Sequence, residues 1–96
     1  MKTLQHKRVL VTGGAAGIGR AIATRMAAAG ALLELADVDE KALLETAEAL
    51  RASGAQVRTH VLDVTDTAQI EALRGAVHAG GGPVDVLVNN AGLVFG

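Results

Sequence analysis

A strand-like segment that leads through a glycine-rich turn into a helix-like segment constrains the fold of this 96-residue chain most. Residues Arg8–Thr12 are mainly apolar, residues 13–19 read Gly-Gly-Ala-Ala-Gly-Ile-Gly, and apolar residues then recur at helical spacing as far as Ala29. A tight turn from strand to helix needs positive φ angles or close backbone approach, and glycine permits both. The helix that follows presents N–H groups and a positive dipole end to an anion. The turn therefore predicts an α/β fold with a phosphate-binding loop.

Three further strand-like segments alternate with two further helix-like segments. We predict strands at residues 31–37, 57–62 and 84–88, and Asp39 and Asp66 are placed to cap the second and third helices. Gly30, Ser53-Gly54 and residues 80–83 are predicted to end the three helices. The apolar faces predicted from helical spacing are Ile18, Ala21, Ile22 and Met26; then Leu43, Leu44, Ala47 and Leu50; then Ile70, Leu73 and Val77.

Strands that alternate with helices imply right-handed crossovers and a parallel sheet. We predict one domain over residues 1–96, an α/β half of a doubly wound Rossmann fold with sheet order 3-2-1-4 and helices on both faces. The strand order reverses between strands 1 and 4, and ligands of such sheets bind beside that point, at the carboxyl ends of the strands. The glycine loop, Asp37, Asp63 and Asn90 are all predicted to lie at those ends.

Asp37 ends the second strand, about 20 residues after the glycine loop. A carboxylate at this position can accept hydrogen bonds from both ribose hydroxyls of a dinucleotide, whereas a 2′-phosphate would meet a like charge. Because Val38 follows Asp37 and Ala16 stands in the loop, neither position supplies a cation for such a phosphate. The sequence therefore predicts NAD rather than NADP. The alternative, that Asp37 only caps the second helix, is disfavoured because Asp39 is better placed for that role.

Three motifs, in the same order and spacing, resemble those of the short-chain dehydrogenase/reductase family. They are Thr12-Gly13-x-x-x-Gly17-Ile18-Gly19, Asp63-Val64 and Asn89-Asn90-Ala91-Gly92. The resemblance covers the entire chain and implies an oxidoreductase that acts on a CH–OH or carbonyl group with NAD. It implies that the second motif holds the adenine end and that the third lines the cofactor ribose and braces the sheet. The predicted cofactor-binding residues are Gly13, Ala16, Gly17, Ile18, Gly19, Asp37, Asp63, Val64, Asn90, Ala91 and Gly92.

The glycine spacing departs from the common G-x-G-x-x-G pattern, so by itself it would also suit a purely structural turn. The strand before it, the helix after it and the acid at the end of the next strand together favour nucleotide binding. A second hypothesis remains open, namely a non-catalytic half-Rossmann module that binds nucleotide or only self-associates.

The resemblance also implies that the catalytic Ser and a Tyr-x-x-x-Lys motif lie downstream of the end of this chain. The sequence contains no Tyr, and its only Ser, Ser53, falls in a helix-ending turn. We therefore expect a chain truncated before its catalytic segment and inactive by itself. In such a fragment the fourth strand forms an open sheet edge next to uncovered apolar surface, and we expect a homo-oligomer through that edge.

Composition argues against several other classes of partner. A net charge of −1 without a basic or acidic block gives no electrostatic support for binding nucleic acid or a membrane surface. The absence of Cys excludes disulfides and thiolate metal sites, and the three His residues lie too far apart in sequence to suggest a metal site. No apolar run is long enough to span a bilayer, and the polar N-terminus, Met1–Arg8, lacks the apolar region of a signal peptide, so we expect a cytoplasmic protein.

Glu34 lies in the middle of the predicted second strand, where the resemblance leads us to expect an aliphatic residue. A buried carboxylate without a partner would cost several kcal/mol or become protonated. Glu34 either reaches solvent, or pairs with a group such as Arg58 in the third strand, or marks an altered strand; the sequence leaves all three open. Arg58 is otherwise predicted at a solvated position, and His60 at the surface or a strand edge.

Overall fold

The computed structural model describes residues 3–63 and 66–89. These residues form a four-stranded sheet and three helices. The strands are β1 (Arg8–Thr12), β2 (Leu32–Asp37), β3 (Gln56–Val61) and β4 (Val86–Asn89), and the helices are α1 (Gly17–Ala28), α2 (Glu40–Ala52) and α3 (Thr67–Gly81). The strand order is β3-β2-β1-β4 and every neighbouring pair is parallel. The predicted α/β topology is therefore confirmed.

Alternate residues of the strands point to opposite faces of the sheet, and each face carries an apolar layer. The layer shared with α1 and α2 comprises Val9, Val11, Leu33, Leu35, Val57, Ala23, Leu43, Ala47 and Leu50. The layer shared with α3 comprises Leu10, Ala36, Leu62, Leu73 and Val77. Helices thus cover both faces, as predicted, and the residues that follow the carboxyl ends of the strands are left at one rim.

The predicted apolar faces of the first two helices need correction. In α1 the buried residues are Gly19 and Ala23, whereas Ile18 is 71% exposed. Small residues let this helix approach the sheet closely just after the turn, which a branched side chain on that face would prevent. In α2 the predicted Leu44 is 46% exposed, and the polar Thr46 is fully buried instead.

The third helix ends within the Gly-Gly-Gly-Pro run at residues 80–83. The predicted stop at residues 80–83 is confirmed, because α3 ends at Gly81 and is followed by Gly82 with a φ of 88°. Gly80 lies against the guanidinium of Arg58, and a Cβ at this position would collide with that group. A glycine here provides room for a side chain from the sheet. The side chain of Ile70, predicted for the apolar face, lies outside the described part of the structure.

Glu34 is only 1% exposed and accepts from three cationic or potentially cationic side chains of the sheet. Its Oε2 contacts the Nη1 atoms of Arg8 and of Arg58, the latter at 3.3 Å, and its Oε1 lies 2.7 Å from Nε2 of His60. The structure therefore selects the paired alternative, with Arg8 as an unpredicted partner. His60 lies in β3, an outer strand of the described sheet, as the strand-edge prediction requires, although its side chain is only 16% exposed; Arg58 remains 44% exposed.

Candidate functional site

The carboxyl ends of β1, β2 and β3 are joined by backbone hydrogen bonds. The N–H groups of Gly13 and Gly14 both donate to the carbonyl oxygen of Ala36, at 2.8 and 3.3 Å. The N–H of Leu62 donates to the carbonyl oxygen of Asp37 at 3.0 Å. The glycine loop, the end of β2 and the segment that leads to Asp63 therefore form one continuous rim.

Glycines are required in the loop for two different reasons. Gly13 and Gly17 have φ angles of 66° and 58°, in the left-handed region that side chains disfavour. Gly14 packs so closely that a Cβ there would lie 3.1 Å from Cδ2 of Leu35 and 3.3 Å from the carbonyl oxygen of Val11. Sequence reasoning did not single out Gly14, although it stands within the motif, because its constraint comes from the neighbouring strand.

The start of α1 is suited to an anion. Ala16 occupies the N-cap position in an extended conformation, no side chain caps the helix, and no acidic residue lies in its first turn. A Cβ at Gly17 would meet no atom within 4 Å, so there is open space around the loop. The first N–H groups of an α-helix have no partner inside the helix and carry the positive end of its dipole. This loop therefore fits a phosphate group, as the sequence predicts.

The carboxylate of Asp37 is fixed next to the loop. Its Oδ2 accepts a hydrogen bond from the N–H of Ala15, and its Oδ1 accepts one from the N–H of Asp39, both at 3.0 Å. Each carboxylate oxygen can accept more than one hydrogen bond, so capacity remains for a ligand hydroxyl. The cap of α2 is Asp39, which accepts from the N–H of Ala42 at 3.0 Å, as predicted. Asp37 therefore has no helix to cap.

Thr46, in α2, also contacts the glycine loop, and sequence reasoning missed it. Its hydroxyl donates to the carbonyl oxygen of Ala15 at 2.8 Å, from a fully buried position in α2. The available signal was its spacing, since Thr46 lies three residues after Leu43 and one before Ala47 on the buried side of the helix. A search for apolar periodicity does not count threonine, so it did not place Thr46 on the buried face.

The remaining predicted residues divide into one that is described and four that are not. Asp63 follows β3 at the rim with an exposed side chain, and its N–H donates to Oε1 of Gln69 at 2.7 Å. The other four, Val64, Asn90, Ala91 and Gly92, lie outside the described residues. The structure therefore brings the glycine loop and Asp37 into hydrogen-bond contact and places Asp63 on the same rim.

Two further findings concern the part of the chain that the structure describes. No group of three or more His, Cys, Asp or Glu side chains there is arranged to hold a metal ion. None of its helices combines the length and the apolar character that crossing a membrane requires.

Comparison with known proteins gives consistent matches along the chain. A family model described as short chain dehydrogenase matches residues 7–96. The 1-deoxy-11-beta-hydroxypentalenate dehydrogenase of Streptomyces exfoliatus is 44% identical over 91 residues, which are 95% of this chain and 33% of that enzyme.

Solved structures agree in fold as well as in sequence. A short chain dehydrogenase/reductase from Burkholderia phymatum, in complex with NAD, has a TM-score of 0.84 and 42% identity, over 91% of this chain and 31% of that one. L-sorbose reductase from Gluconobacter frateurii, in complex with NADPH and L-sorbose, has a TM-score of 0.90 and 34% identity, over 97% of this chain and 36% of that one. This chain thus spans about a third of the length of these relatives.

Proposed function

The chain belongs to the short chain dehydrogenase family, and from that premise we propose that residues 1–96 are a dinucleotide-binding half domain of an oxidoreductase that acts on a CH–OH or carbonyl group. One observation carries the proposal: the Asp37 carboxylate is bonded to the N–H of Ala15, which makes the acid and the glycine loop a single surface. The similar proteins are dehydrogenases and reductases, and two are described with NAD or NADPH, which supports a nicotinamide cofactor. They do not favour the alternative of a non-catalytic module.

A bound nicotinamide ring would supply hydride transfer, and this chain would hold the cofactor. In our proposal the N–H groups of Gly17–Gly19 bond the pyrophosphate, and the small residues Gly13 and Ala16 leave room for it. Asp37 accepts hydrogen bonds from the ribose hydroxyls on the adenine side. Asp63 and Val64 hold the adenine, and Asn90, Ala91 and Gly92 line a cofactor ribose.

We further propose that the cofactor is NAD rather than NADP. A 2′-phosphate carries about −1.5 to −2 charges near neutral pH and would lie against the carboxylate of Asp37. The next side chain, Val38, is 68% exposed and offers no compensating cation, and neither does the exposed Ala16. The similar structures include one with NAD and one with NADPH, so the preference is argued from the residues of this chain and not from its relatives.

Titration calorimetry of the chain with NAD and with NADP tests both statements. We expect the affinity for NAD to be at least about tenfold higher than that for NADP, because one unfavourable charge contact of about 1.4 kcal/mol gives a tenfold ratio. Asp37→Asn keeps the shape of the side chain and should reduce the ratio to about two or less. Glu48→Gln, an exposed position in α2, removes the same charge elsewhere and should leave the ratio unchanged. Equal affinities for the two cofactors in the unmodified chain would refute the role of Asp37.

We also propose that the chain forms a homodimer through β4. Among the described strands β4 pairs with β1 alone, and its Leu87 is 62% exposed. The other outer strand is better protected, because Nη2 of Arg51 donates to the carbonyl oxygen of Val57 at 2.6 Å. Two β4 strands side by side would satisfy each other's backbone groups and bury apolar surface, worth about 25 cal/mol per Å2. Sedimentation should show a dimer; a folded monomer at high micromolar concentration would refute this.

We place the protein in the cytoplasm, since a chain without Cys suits a reducing compartment. A net charge of −1 without a basic block is also why we propose neither a nucleic-acid nor a membrane partner.

A further inference from the structure

Thr46 places a hydroxyl group in an otherwise apolar contact between α2 and the sheet. Its side chain is fully buried, and its neighbours on the same helix face are Leu43, Ala47 and Leu50. A buried hydroxyl is unfavourable unless it is hydrogen bonded, and a helical threonine commonly bonds a carbonyl one turn earlier in its own helix. Thr46 instead donates to the carbonyl oxygen of Ala15, 31 residues earlier in the chain, at 2.8 Å. This contact crosses from α2 to the glycine loop.

Ala15 is consequently bonded on both of its backbone groups. Its N–H donates to Oδ2 of Asp37 at 3.0 Å, and its carbonyl accepts from Thr46. The peptide between Ala15 and Ala16 is trans and planar, so its C=O and N–H groups point in opposite directions. Because the C=O is directed at α2, the N–H of Ala16 projects away from α2. Ala16 is the N-cap of α1, so this peptide sets the direction in which the helix begins.

We propose that Thr46 is a positioning residue for the phosphate-binding loop. Its hydroxyl fixes the Ala15–Ala16 peptide, so that the N–H groups at the start of α1 meet a pyrophosphate in the correct orientation. The proposal rests on the proposed cofactor-binding function and requires no contact between Thr46 and the cofactor. A loop ordered before binding loses less entropy when the ligand arrives. Removing the hydroxyl should therefore weaken cofactor binding even where the fold persists.

Three variants of the full chain separate this role from simple packing. Thr46→Val keeps the branched shape and loses the hydroxyl, whereas Thr46→Ser keeps the hydroxyl and loses a methyl group. Thr24→Val is the matched control, because the Thr24 hydroxyl donates to the carbonyl of Arg20 within α1, on the exposed side, at 2.8 Å. Affinities for NAD, ADP and adenosine are measured for each variant by calorimetry or NMR titration, and unfolding is followed in the same samples without ligand.

The expected result depends on whether the ligand carries phosphates. Thr46→Val should weaken the binding of NAD and of ADP by about three- to tenfold, which is the effect of losing one neutral hydrogen bond. The affinity for adenosine should stay within about twofold of that of the unmodified chain. Thr46→Ser should keep the affinity for NAD within about twofold although it loses stability, and Thr24→Val should change neither affinity. If Thr46→Val does not fold, Thr46→Cys, with its weak S–H donor, replaces it and should show the same loss.

The outcomes distinguish this proposal from the one on which it rests. Wild-type affinity for NAD in Thr46→Val, an equal loss in Thr46→Ser, or an equal loss for adenosine would each overturn the positioning role and leave NAD binding in place. Failure of the unmodified chain to bind NAD or ADP at millimolar concentration would overturn both proposals.

Discussion

Replacing the buried Glu34 by leucine should destabilise the fold by about 3 kcal/mol. The substitution removes the carboxylate that Arg8, Arg58 and His60 share, and it fills a similar volume, so that no large cavity is left. Breaking a buried ion pair by removing one partner costs about 3–5 kcal/mol, because the other charge stays buried without compensation. Arg58 is 44% exposed and can be hydrated, whereas Arg8 is 12% exposed and reaches water much less. We therefore place the expected cost at the lower end of that range.

A double variant shows whether the unpaired charge causes the loss. Arg8→Met combined with Glu34→Leu replaces the pair by apolar side chains, and buried pairs replaced in this way often cost little or nothing. The double variant should therefore lie within about 1 kcal/mol of the unmodified chain. Glu71→Leu is the surface control. Glu71 pairs with Arg74 at 3.6 Å on the exposed side of α3, and such pairs are worth about 1 kcal/mol or less.

Urea unfolding followed by circular dichroism measures these differences by linear extrapolation. A small domain has a total free energy of unfolding of about 5–15 kcal/mol, so a variant that loses about 3 kcal/mol should still fold and its loss can be measured. Repeating the titration at two protein concentrations separates the fold's stability from any contribution of self-association. A loss below about 1 kcal/mol for Glu34→Leu, or a double variant as unstable as the single one, would refute the reasoning about an uncompensated charge at Arg8.

Two other variants follow from the structure. Gly17→Ala should lower the free energy of unfolding by about 1 kcal/mol, because the φ of 58° is unfavourable for alanine although there is space for a Cβ. Gly75→Ala, at an open position inside α3, should raise it by up to about 1 kcal/mol. Urea titrations that give the same sign for both variants would contradict this. Leu87→Lys places a charge on the exposed edge of β4 and should convert the proposed dimer into a monomer in sedimentation experiments, and persistence of the dimer would move the interface elsewhere.

The parts of the fold that sequence reasoning predicted correctly depend on local patterns. Alternating strand-like and helix-like segments determine a parallel sheet, and a parallel sheet gathers its strand ends at one rim. The position of Asp37 at the end of β2 was enough to place it beside the loop, where it bonds the N–H of Ala15. Asp39 caps α2 as predicted, because a cap depends only on the three residues that follow it.

The wrong and missing predictions depend on contacts that the local pattern does not contain. Periodicity placed Ile18 on the buried face of α1, but the distance between helix and sheet after the turn is set by Gly19 and Ala23, which have little or no side chain. Thr46 is buried because its partner Ala15 lies 31 residues away. The sequence suggested Arg58 as one possible partner of Glu34, but not that Arg8 and His60 would meet the same carboxylate.

Two of the buried polar residues, Thr46 and Glu34, lie on different faces of the sheet, and their roles should therefore be separable. Thr46 is in α2, whose helix face packs with Leu33 and Leu35, whereas Glu34 points to the opposite face because side chains alternate along β2. Glu34 also lies three residues before Asp37, about 10 Å along the strand from the rim. Its partners Arg8, Arg58 and His60 all lie in the neighbouring strands β1 and β3, so its network joins three strands. The folded fraction of Glu34→Leu should consequently bind NAD with the affinity of the unmodified chain, whereas Thr46→Val should lose affinity at a smaller cost in stability. A loss of NAD affinity in both variants would mean that the loop depends on the stability of the whole sheet rather than on one hydrogen bond.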